Sequence, residues 1–182
     1  MYKEFDPRRL DVKAFAEAAA KLVGEERLGD HPRLMAETGG RGADTRLAWS
    51  ATGEMRNLGH VHPEVWLRLG AKTVLSLTCQ RCLAPVGVAV EVERPFRFVQ
   101  DEAIAMAEDD TSEEDLLALS RAFDLIELVE DELLMDLPVA PRHESCPVPV
   151  KLVVADEGFE AAPPPRENPF ALLQRLKTRK AE

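Results

Sequence analysis

Two runs of strict two-residue alternation meet at the tetrapeptide Cys-Gln-Arg-Cys, and that junction narrows the folds open to this chain more than any other feature. In the first run Val65, Leu67, Leu69, Ala71, Leu75, Leu77 and Cys79 share one side, with Arg68, Lys72, Ser76 and Thr78 on the other. After the tetrapeptide the apolar phase is even-numbered, through Val86, Val88, Val90 and Val92 to Phe96 and Phe98. Successive side chains of a strand point to opposite faces, so each run reads as a strand with one apolar face. The simplest arrangement is an antiparallel pair whose connecting turn is the cysteine knuckle. Leu47, Trp49, Ala51, Gly53 and Met55, set against Arg46, Ser50, Thr52 and Glu54, add another strand.

Three or more amphipathic strands need a cover for their apolar face. Two helices are expected to supply it. Asp11 is placed to cap a helix through Phe15, Ala18, Ala19 and Leu22, with Gly24 as its stop. Asp124, with Glu127 in the capping-box position, opens a second helix that carries Leu125, Leu128, Val129 and Leu133 on one side. Glu127, Glu130, Asp131 and Glu132 give that helix an acidic outer surface. The expected class is therefore α+β: an antiparallel sheet or partly open barrel with a Cys-x-x-Cys hairpin, covered by an N-terminal helix and a second acidic helix.

Glycine and proline divide the rest. Residues 37–44 read as a flexible loop, and the carboxylate-rich run 101–115 as a solvated acidic loop that resists compaction by self-repulsion. Pro138 and Pro141 stop the second helix. A single domain is expected over residues 1–160, followed over 161–182 by a linker at Pro163-Pro164-Pro165 and a short amphipathic basic tail. Asn168 and Pro169 open that tail helix, and Lys177, Arg179 and Lys180 end it.

The third cysteine lies three residues after His143, so Cys79 and Cys82 on the hairpin and His143 and Cys146 on a later loop form two half-sites. Two thiols plus an imidazole and a thiol are a tetrahedral donor set for zinc, and four protein ligands leave no open position for chemistry. Any metal there is structural. The alternatives are three unrelated buried thiols, or a redox pair at Cys79 and Cys82. A redox cysteine wants a helix N-terminus behind it, whereas a strand follows here.

The chain carries 33 acidic against 23 basic side chains, a formal charge of −10. Gripping a phosphate backbone favours the opposite sign, so tight autonomous RNA binding is disfavoured and a basic protein partner suits the surface. No run approaches the roughly 18 apolar residues of a membrane span, the start lacks a signal-type apolar region, and the cysteine count is odd. The expectation is a protein of the reducing cytoplasm without a membrane partner.

Several ordered motifs resemble one family. Thr78 to Pro85, Phe123-Asp124-Leu125 with Leu128 to Leu134, Leu137-Pro138, Pro141-Arg142-His143 and Asn168-Pro169-Phe170-Ala171 are similar to the YceD-like large ribosomal RNA subunit accumulation proteins of bacteria, from Phe5-Asp6-Pro7 to the tail. The resemblance implies a non-enzymatic role in synthesis, processing or stability of 23S rRNA, hence in large-subunit biogenesis. It also implies a second cysteine pair in other branches, from which this chain departs with His143 and Cys146. A ribosomal protein or an rRNA maturation factor is then the expected partner, with indirect or weak 23S rRNA association. Two rival readings are a metal-dependent ribonuclease using Glu127, Glu130 and Asp131, and direct rRNA binding through Arg68, Lys72, Arg81, Arg94, Arg97 and the basic tail.

Overall fold

The computed structural model describes residues 4–60 and 63–149. Its elements fall in one compact unit, Met1–Pro147. The expected boundary after residue 160 and the tail over 161–182 lie outside the described residues.

The order is α1 (Val12–Glu17), β1 (Lys21–Arg27), α2 (Pro32–Glu37), β2 (Arg46–Arg56), β3 (Glu64–Thr78), β4 (Pro85–Val99), α3 (Glu102–Glu108), β5 (Asp115–Ala118) and α4 (Leu125–Met135). The strands form one open sheet in the order β1-β2-β3-β4-β5. The first four are antiparallel neighbours, and β5 lies parallel to β4. The class is α+β as expected, with an open sheet that is antiparallel over its first four strands and made mixed by the parallel β5 at its edge. A strand of four residues at the end of an acidic run has too little alternation to announce itself.

The long hairpin forms in the register its two apolar phases require. Leu77 faces Val86 and Val65 faces Phe98, so odd residues of β3 and even residues of β4 share the covered face. Leu67, Leu69 and Leu75 are wholly buried there. Trp66 breaks the alternation: it is buried on the opposite face because Arg56 stacks over its ring at 4.0 Å and its indole N–H donates to Glu64 at 2.9 Å.

Helices α1 and α4 cover the apolar face. Asp11 caps α1 by accepting from the Ala14 amide at 3.1 Å, as its position implied. The helix is shorter than expected, however. It ends at Glu17, Ala19 takes a left-handed turn (φ 45°), and Leu22 and Gly24 belong to β1. Gly24 does not stop a helix; it faces Trp49 across β1 and β2, and a Cβ there would sit 2.3 Å from the indole ring. Asp124 caps α4, accepting from the amides of Ile126 and Glu127, each at 3.0 Å. Bridging bonds between Leu10 and Phe123, with the Leu125 amide donating to Pro7 at 2.8 Å, tie the N-terminal segment to the start of α4.

The acidic run is also more ordered than its charge suggested. Asp101 caps α3 through the Ile104 amide at 2.9 Å, and Arg97 pairs with Glu108 at 3.0 Å and Glu114 at 4.0 Å. A cation from β4 thereby offsets the self-repulsion that would otherwise keep the segment open.

Gly53 sets the distance between α1 and the sheet, because a Cβ there would lie 2.7 Å from the Phe15 ring and 2.8 Å from the backbone of Ala16. Helix backbone cannot swing aside as a flexible side chain can. Gly53→Ala is expected to lower the unfolding free energy by roughly 1–3 kcal/mol, the usual range for overpacking. Urea titration checks this; an unchanged midpoint would mean that α1 tolerates displacement.

Candidate metal centre

The knuckle between β3 and β4 is built from its own backbone. The Cys79 amide donates to Ala84 and the Leu83 amide to Cys79, both at 2.9 Å, with Leu83 left-handed (φ 60°) to close the turn. The Arg81 amide points at Cys79 Sγ, 3.5 Å away. Arg41, reaching from the glycine-rich loop after α2, donates to the Ser76 carbonyl at 3.0 Å and to Thr78 Oγ1 at 3.0 Å, which braces the last residues of β3. No local sequence signal marks Arg41 for this role.

The second half-site arrives on the irregular segment after α4. The Gln80 amide donates to the Pro141 carbonyl at 2.8 Å, docking that segment on the knuckle. His143 Nε2 lies 3.0 Å from the Pro85 carbonyl, which can only accept, so Nε2 carries the proton and Nδ1 presents its lone pair. That lone pair faces Cys82 Sγ at 3.4 Å. A backbone carbonyl fixing the tautomer of a histidine is the usual support for a metal-ligating imidazole.

The three sulfurs and one imidazole nitrogen all lie within 4.8 Å of one another. In a tetrahedral zinc site, bonds of 2.0–2.3 Å put the donors about 3.5–3.8 Å apart, so only a small contraction separates this cluster from a bound geometry. The electrostatics suit a thiolate. Burial pushes the Cys79 thiol up, but the amide N–H groups of Cys82, His143 and Arg81 and the Cys82 thiol outweigh it and bring the group down to about 5. Burial, followed by the neighbouring Cys82 and Cys79 sulfurs, pushes the Cys146 thiol up instead. Three thiols and a preset imidazole fit zinc better than a hard cation that wants oxygen ligands. Cys79, Cys82, His143 and Cys146 could therefore hold such an ion.

The family model described as "Large ribosomal RNA subunit accumulation protein YceD" matches residues 67–177, which is more than half of the chain and includes both half-sites. The chain belongs to the YceD family. Its link to large-subunit ribosomal RNA accumulation follows from that membership. No solved structure matches this YceD chain. The match begins within β3, so α1, β1, α2 and β2 precede it.

Elsewhere in this YceD protein the structure separates charges that the sequence grouped together. The outer surface of α4 was expected to carry Glu127, Glu130, Asp131 and Glu132, but Glu130 and Glu132 are buried. Glu130 accepts from the amides of Arg33 and Leu34, at 2.8 and 3.1 Å, and from Arg33 Nε at 3.1 Å. It caps α2, whose own N-cap residue His31 makes no side-chain cap. Asp131 pairs with the same guanidinium. Glu132 pairs with Arg94 at 3.0 Å; burial pushes its carboxyl up, and the guanidinium only partly counters this. The basic stripe is divided as well. Arg94 stands on the covered face opposite Leu69, whereas Arg68, Lys72 and Arg97 stand on the other face, with Arg68 paired to Glu93 and Arg97 to Glu108.

Removing the Glu130 carboxylate would leave two helix amides without their acceptor and the Arg33 guanidinium with one carboxylate partner fewer. Glu130→Ala is expected to cost about 1–3 kcal/mol of stability, read from the denaturant midpoint. An unchanged midpoint would return Glu130 to the pool of carboxylates available for other work.

Proposed function

We propose that this chain is a non-catalytic factor in the synthesis, processing or stability of 23S rRNA, working in large-subunit biogenesis by holding a basic protein partner, either a ribosomal protein or an rRNA maturation factor. Its association with 23S rRNA itself is weak or indirect. The observation that carries this reading is family membership joined to charge. A member of an rRNA accumulation family has a net charge of −10, the wrong sign for gripping phosphate. Its hairpin cations Arg68, Arg94 and Arg97 are engaged by carboxylates. A complementary field speeds encounter with a basic partner and keeps the complex reversible.

In the same reading, Cys79, Cys82, His143 and Cys146 hold zinc as a structural clasp joining the hairpin turn to the segment after α4. Zinc supplies cross-linking and no open coordination position there. Against the ribonuclease reading, two of its three carboxylates are already engaged, Glu130 by the amides of α2 and Asp131 by Arg33.

Two experiments test these claims separately. In cells depleted of this chain, the ratio of 23S to 16S rRNA is expected to fall. Re-expression of either the natural chain or the Glu127→Ala/Asp131→Ala variant is expected to restore it. Failure of that variant, together with rRNA cleavage by the purified natural chain, would overturn the non-catalytic reading. Protein purified without chelators is expected to carry about one zinc per chain, lost in Cys79→Ser along with several degrees of melting temperature. Metal-free natural protein with the same melting curve as the variant would remove the clasp and leave the proposed role intact.

A further inference from the structure

A groove of about 430 Å³ runs between β5 and α4, lined by none of the four cluster residues. Leu117, Leu128, Leu134 and Met135 supply apolar walls, and Asp109, Asp115 and Asp131 stand among the residues around it. Met135 is 68% exposed although it ends a helix whose other large apolar side chains are covered. A flexible thioether left in water beside an apolar groove is a common feature of surfaces that accept varied side chains.

The charge around the groove is one-sided. Glu132 and Asp115 share one cation, Arg94, at 3.0 and 3.7 Å, Asp131 pairs with Arg33, and Asp109 has no ion pair among the described residues, so carboxylates still outnumber cations there. Strand β5 is the edge of the sheet: its strand partner is β4, and its other side carries no strand among the described residues. An edge strand offers backbone donors and acceptors in a row to an extended peptide.

We propose that this groove docks an extended segment of a basic protein partner, one in which lysine or arginine alternates with aliphatic side chains. The proposal rests on the reading that the chain binds a basic partner, and names the surface it uses. In an extended segment alternate side chains project oppositely, so aliphatic groups can reach Leu117 and Met135 while a cation reaches Asp109, with Asp115 and Asp131, each already paired to one arginine, adding to the negative field. RNA would bring phosphates against those carboxylates, and a second copy would bring another acidic surface; both are electrostatically opposed.

The test uses the full chain and a labelled peptide of about eight residues alternating lysine and leucine, long enough to span a four-residue strand. Its glutamate–leucine and lysine–serine counterparts serve as controls. Fluorescence anisotropy at physiological salt is expected to show binding of the lysine–leucine peptide, with both counterparts weaker by on the order of tenfold. Met135→Lys and Asp109→Lys, both exposed and expected to keep the natural unfolding midpoint, should each weaken binding several-fold, while Glu17→Lys on α1 should not. A photo-crosslinking residue in place of Met135 should capture the peptide. Equal affinity for the lysine–serine peptide, indifference to Met135→Lys, or crosslinks only to this chain's own residues or to a second copy would each overturn the proposal. The 23S to 16S ratio distinguishes the two readings. Met135→Lys that loses the peptide yet restores 23S rRNA fully would refute the groove as the working surface and spare the rRNA role. Unchanged 23S levels in cells without the chain would refute the role, whatever the peptide does.

Discussion

Everything in this molecule depends on the register of β3 against β4. With Leu77 opposite Val86 and Val65 opposite Phe98, the two longest strands put most of their aliphatic side chains, Val74, Ala89 and Val99 aside, on the face that α1 and α4 cover. A slip of one residue would turn that whole set to solvent, which is why two long alternating runs specify their pairing so strongly. The same register delivers the ends of the strands to a turn short enough for Cys79 and Cys82 to project together, and sends Arg94 toward α4 rather than to the open face.

Three of the five strands among the described residues, and the second helix, were legible from the chain, because each is long enough for its period to show. The cysteine–histidine cluster was legible as two half-sites with ordinary ligand spacing. Other elements were hidden for identifiable reasons. β1 alternates weakly, with Val23 exposed and Gly24 lying under Trp49, so Leu22 and Gly24 read as the end of a helix. β5 has only four residues, the first of them closing a run of carboxylates. The N-terminus of α2 is satisfied by a carboxylate far away in sequence, Glu130, a partnership that no local pattern can announce.

That last contact shows why acidic composition is a poor guide to where acid sits. Glu127, Glu130, Asp131 and Glu132 look equivalent in the sequence, yet two are buried beside specific cationic partners and two are more exposed. A buried carboxylate is tolerable when its charge is met: Arg33 and the α2 amides hydrogen-bond Glu130, whereas Glu132 is held by its ion pair to Arg94 alone. The negative field left for partners therefore comes largely from elsewhere, above all from α3 and the turn leading to β5.

The docking of the His143 segment on the Cys79 knuckle also divides the chain topologically. With an ion held by the four donors, residues 79–146 become a closed ring containing β4, α3, β5 and α4, while α1, β1, α2, β2 and β3 remain a linear segment outside it. By the chain-entropy estimate, closing a ring of that size lowers the freedom of its denatured ensemble by on the order of 4 kcal/mol. The linear portion gains nothing of the kind. Chelation would loosen one half of the polypeptide and leave the other governed by its sheet contacts alone.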